Sequence, residues 1–68
     1  MKLYVVEWKP TDDSYLVGIF TSEAGARAAF DAFVDPEDRF GWVYLNEYEA
    51  DVVYLLEAPK QLAERRIA

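Results

Sequence analysis

Cysteine and histidine are both absent from this chain. Without thiolate or imidazole there is no disulfide, and the usual zinc, iron–sulfur and haem ligand sets are excluded. The commonest general base and the strongest side-chain nucleophile are missing too. No apolar run approaches the roughly 18 residues of a membrane helix, and no secretory signal is expected. Basic residues are few: 7 against 13 acids, for a net charge of −6. The imbalance is sharper in residues 1–59, where twelve acids face four bases. Such a body repels nucleic acid and anionic membrane and attracts basic protein surfaces. No cofactor and no metal is expected, nor any direct nucleic-acid or membrane partner. A chain without cysteine suits the cytoplasm.

What is present is enough to fold. Hydrophobic residues make up 53% of 68 positions and aromatics 16%, well above a disordered composition. A chain this short buries only about 60% of its unfolded surface. Domains of this size commonly need a staple, and with disulfides and metals gone the remaining one is association.

Lys2–Trp8 (KLYVVEW) reads as a strand, and Lys9–Ser14 as turn chemistry. Tyr15–Phe20 is a second strand, with Gly18 expected where another element's backbone passes close. Thr21-Ser22-Glu23 starts a helix. Ala26, Ala29, Phe30 and Phe33 form its apolar stripe, with Arg27 and Asp31 four apart on another face. Pro36 should end it by Asp35, before an acidic loop to Gly41. Trp42–Leu56 holds two strands turning near Asn46–Glu49, or one long strand reaching Asp51 and a short one after it. The fold class expected is therefore α+β: a small antiparallel sheet in ββαββ order with one helix on one face. Residues 1–58 form the single domain, and 59–68 a short basic C-terminal helix or tail.

One helix covers one face of a sheet. In the first strand Leu3 and Val5 oppose Tyr4, Val6 and Trp8, and in the second Tyr15, Val17 and Ile19 oppose Leu16 and Phe20. Both faces are apolar, so one is left needing cover. Leu62 and Ile67 of the terminal helix, or a second copy of the chain, are the candidates to supply it.

The strand–cap–helix run LVGIFTSEAGARAAF, followed by LNEYEAD after an aromatic loop, resembles a family of small uncharacterised bacterial and phage proteins. The similarity spans roughly residues 2–51, through Gly18, Phe20, Ser22, Glu23, Ala26, Tyr48 and Asp51. VVYLLEAPKQLAERRIA departs from it. The resemblance implies a capped helix on a hairpin and a phage-linked setting, in the host cytoplasm, and no catalytic residues.

Glu47 and Glu49 as a glycosidase-like acid pair, and Asp12-Asp13-Ser14 or Asp35-x-Glu37-Asp38 as calcium ligands, are weaker readings than solvated strand and turn residues. No enzyme is expected. The candidate binding acids are Glu47, Glu49 and Asp51, which on one strand would share a face at about 7 Å spacing, extended by Glu7 and by Asp31, Asp35, Glu37 and Asp38. Such a row resembles a line of phosphates and could occupy a Lys/Arg groove; its bland counterpart is a charged edge that prevents aggregation. Tyr4, Trp8, Trp42, Tyr44 and Tyr48 are the candidate interface aromatics. The function expected is a small acidic inhibitor or adaptor docking on a basic, nucleic-acid-handling protein complex. The resemblance implies an anti-CRISPR-type, anti-defence version of it. The alternative is a homodimeric structural module without inhibitory activity.

Overall fold

The computed structural model describes residues 1–34, 41–54 and 58–67. Four strands and one helix follow in the order β1 (Lys2–Lys9), β2 (Tyr15–Phe20), α1 (Glu23–Ala32), β3 (Gly41–Glu49) and β4 (Lys60–Ile67). All neighbours are antiparallel, in the sheet order β2-β1-β3-β4. The α+β class and the ββαββ order are those read from the sequence.

The last strand lies elsewhere than expected. Trp42–Leu56 does not hold two strands among its described residues; β3 runs unbroken to Glu49, and a turn follows. The fourth strand is Lys60–Ile67, the segment expected as a helix or tail. Ala63, Glu64, Arg65 and Arg66 are good helix formers, but propensity differences of under about 0.7 kcal/mol per residue yield to a full ladder against β3, from Gly41↔Ile67 to Glu47↔Lys60. The boundary at residue 58 therefore cuts through the sheet and separates no tail.

Ser22 caps α1 by accepting a hydrogen bond from Gly25 N at 3.1 Å. Ala26 and Phe30 are buried, with Ala29 and Phe33 packed beside them, as the stripe predicts. The helix ends at Ala32; Pro36 and the acidic loop expected at residues 35–40 lie outside the described residues. Arg27 pairs with Glu23 at 2.7 Å, and not with Asp31. The last turn of α1 carries no base of its own. Its terminal carbonyls are satisfied from β4: Arg65 Nη2 donates to Phe30 O at 2.7 Å and to Phe33 O at 2.8 Å. The same guanidinium sits 5.6 Å from the Phe30 ring centre.

The core lies between α1 and the sheet: Val6, Trp8, Ala26, Phe30, Val43 and Leu45. Val6, Val43, Leu45 and Ala26 are fully buried. Two bulges set which other residues join them. Val17 is unpaired between Val6↔Gly18 and Glu7↔Leu16, and Leu62 between Leu45↔Ala63 and Asn46↔Gln61. An extra residue in a strand reverses the alternation beyond it. Val17 and Phe20 thus both pack on the core, while Leu16 and Ile19 face away. That corrects the plain alternation expected for β2. Gly18 makes room for the ring of Phe20, 2.8 Å from where its Cβ would be, and not for a passing backbone. Gly41 is the stricter position: its φ is +142°, and a Cβ would lie 2.5 Å from Lys9 O.

Candidate functional site

Strand alternation divides the side chains into a face under α1 and a face turned away from it. Since Val6, Trp8, Val43 and Leu45 point to the helix, Leu3, Val5, Glu7 and Lys9 of β1 and Trp42, Tyr44, Asn46 and Tyr48 of β3 point the other way. Beyond the bulges, Leu16 and Ile19 of β2 and Glu64 and Arg66 of β4 join them. We call this the open face. Leu16 is 62% exposed, Ile19 58% and Trp42 40%. Leu62 and Ile67, expected to cover this face from a terminal helix, pack with the core on the other side.

One end of the open face is covered from within the chain. After β3 the backbone turns through Asp51, whose φ of 65° is left-handed, a region Asp tolerates better than most residues. The turn brings Tyr54 edge-on to Tyr48 at 5.0 Å, and the Tyr54 hydroxyl accepts from Glu49 N at 2.7 Å. Tyr48 in turn donates to Glu7 Oε1 at 3.4 Å, and Ser14 Oγ donates to Glu7 Oε2 at 3.0 Å. Burial first, then the neighbouring Glu7 carboxylate, pushes the Tyr48 phenol above its ordinary value.

The opposite end, open among the described residues, forms a concavity of about 360 Å³ lined by Lys9, Pro10, Thr11, Gly41, Trp42, Tyr44 and Arg66. Lys9 and Arg66 flank Trp42 from the two neighbouring strands, in the register Lys9↔Trp42↔Arg66. Neither cation has an ion-pair partner among the described residues. The next row on the same face is Glu7↔Tyr44↔Glu64. A cation–aromatic–cation row therefore lies beside an acid–aromatic–acid row.

The structure distributes the expected site residues over both sides of the sheet. Trp8 is a core residue, only 6% exposed, and Tyr4 is half-buried against the core on the same face, so both are withdrawn as interface aromatics; Trp42, Tyr44 and Tyr48 are on the open face. The acid row is interrupted. Glu47 and Glu49 share the other face of β3, but Asp51 lies beyond the strand in the turn. Glu47 is 3.6 Å from Lys2 Nζ, and Glu49 accepts from the Met1 ammonium at 2.9 Å. That hydrogen bond, and then the ammonium's charge, hold the Glu49 carboxyl below its ordinary value. Asp31 is exposed on α1 and does not extend the row. Asp35, Glu37 and Asp38 lie outside the described residues. Glu7, expected to extend the acid row, lies on the opposite face from Glu47 and Glu49. Lys9, Arg66 and Glu64 were not singled out from the sequence. Glu-x-Lys at 7–9 and Glu-x-Arg at 64–66 are the traces of the two rows there.

Chemically, this face offers hydrophobic contact, ring stacking and paired charge. No group of three or more acids able to hold a metal occurs among the described residues, nor does any described helix suffice to cross a membrane. These features define a small α+β protein with one aromatic sheet face that, among the described residues, is covered only at its Tyr48 end. No protein-family profile, curated protein or solved structure matches the chain, so the resemblance drawn over residues 2–51 gains no support from them.

Proposed function

We propose that this chain is a non-catalytic protein-interaction module, an adaptor or inhibitor, that docks on protein through the open face of its sheet. The observation that carries this reading is the exposure of Leu16 and Ile19 on β2 and of Trp42 on β3, beside Tyr44, on the one sheet face that α1 does not cover. Large apolar and aromatic groups of this kind, rimmed by charge, are what protein interfaces bury. Trp and Tyr are the side chains that most often anchor them.

The net charge of −6 favours a second reading, in which acids occupy a basic groove. It ranks lower because Glu47 and Glu49 already hold Lys2 and the N-terminal ammonium. Glu47→Gln/Glu49→Gln separates the two: binding survives it under the open-face reading and is lost under the other.

A photo-crosslinking amino acid placed at Leu16 tests the main reading in living cells, with Ala28 on the exposed side of α1 as the control. The expected result is protein adducts from position 16 and none from position 28. No adduct from position 16, or the same adducts from both, overturns it.

A further inference from the structure

We infer that the occupant of the open face is a second copy of this chain, joined about a two-fold axis that sets the cationic row of each copy on the acidic row of the other. This rests on the open-face reading above and names its partner. The argument comes from register. Lys9, Trp42 and Arg66 stand in one line across β1, β3 and β4; Glu7, Tyr44 and Glu64 stand in the next line, in the same strand order. Residues i and i+2 of a strand are about 7 Å apart, so the lines are parallel and one step apart. A two-fold axis lying in the interface, running across the strands midway between the lines, exchanges them. Each strand then faces its own equivalent: Lys9 meets Glu7 of the second copy, Trp42 meets Tyr44, and Arg66 meets Glu64. Every charge finds its opposite and the aromatics stack in the centre.

A two-fold interface requires a surface complementary to itself, which a net −6 body does not offer in general. This patch does, since its two acids and two bases balance. Two sheets packed face to face sit about 10 Å apart with strands nearly aligned, and the rows demand that same arrangement. The position of the axis also agrees with what is exposed. Tyr54 covers the Tyr48 end of the face, whereas the two rows lie at the uncovered end, beside Leu16 at 62% exposure. There the concavity of about 360 Å³ between Pro10, Trp42 and Arg66 receives the second copy's Tyr44 and its flanking acids.

Sedimentation equilibrium on three versions of the chain tests this. At about 100 µM, a concentration suited to an interface at the small end of the range, the unmodified chain is expected at twice its 7.8 kDa mass. Lys9→Glu/Arg66→Glu and Glu7→Lys/Glu64→Lys should each fall to single-chain mass, since their rows now repel. Mixed in equal amounts, they should recover the two-chain mass. Circular dichroism establishes that each variant is folded. Because Glu7 accepts bonds from Ser14 and Tyr48, Glu64→Lys alone replaces the second variant if the double substitution unfolds. A single-chain mass for the unmodified protein overturns the inference. So does a two-chain mass that all the variants retain, which would place the contact elsewhere. The crosslinker at Leu16 keeps the two levels apart: adducts to a different protein sink the second copy and leave the open-face reading standing, while no adducts sink both.

Discussion

Arg65 ties the last strand to the C-terminal end of the helix. Its guanidinium donates to Phe30 O and Phe33 O, at the helix end where no base of α1's own last turn stands. Hydrogen bonds to a charged donor contribute about 1.5–3 kcal/mol each, and removing the donor strands two carbonyls. Arg65→Met is therefore expected to cost about 3 kcal/mol in urea denaturation. Arg65→Lys should cost roughly half of that, because an ammonium keeps the charge but not the planar fork. Tyr48 makes a second prediction at this scale. Its native value is raised above the ordinary 10.0, so the folded state holds the phenolic proton more firmly than the unfolded one. The resulting stability is complete below that ordinary value and is lost as pH climbs through the raised one. Tyr48→Phe should flatten this alkaline decline in stability, measured by denaturation across the range above pH 10.

Among the elements, β4 decides most. It pairs with β3 over its whole length, brings Leu62, Ala63 and Ile67 to the core, and carries Arg65 to the helix. Isolated helices shorter than about 12–15 residues are marginal in water, and α1 has 10. A chain ending at Ala58 is thus expected to lose cooperative unfolding by near-UV circular dichroism and denaturant titration, and not merely to lose a tail. β1, β2 and α1 were legible in the sequence because each has local signals: β-branched and aromatic runs, a turn rich in Asp and Ser, a hydroxyl cap, and an apolar stripe of period 3.6. β4 was not. KQLAERRI has no strand alternation of its own, because the bulge at Leu62 breaks it, and its helix-forming residues point the wrong way.

At the scale of the whole molecule, six side chains form the buried core among the described residues. Stabilities of roughly 0.05–0.15 kcal/mol per residue put a chain of 68 residues at roughly 3–10 kcal/mol in total. Leu45 is fully buried at the centre of the sheet, and Leu→Ala at such sites costs about 2–5 kcal/mol. Leu45→Ala should therefore remove about half of the total stability, read as a lower urea midpoint by tryptophan fluorescence. A second copy on the open face would offset part of that loss. The unfolded fraction should then fall as protein concentration rises.

Composition and local pattern were sufficient for the class of fold, the capped helix and its core stripe, and the excess of apolar surface over what one helix hides. They rest on propensity, periodicity and side-chain chemistry, which act between residues close in sequence. Three things waited on the tertiary structure. The acid row dissolved because Lys2 and the chain's own ammonium lie across from Glu47 and Glu49, and because Asp51 was needed in a left-handed turn. Two bulges determined which residues of β2 and β4 face the core, and a bulge is a property of a pair of strands. The charge rows of the open face arose from register: Lys9 and Arg66 are distant in sequence and flank one indole only because β3 lies between β1 and β4.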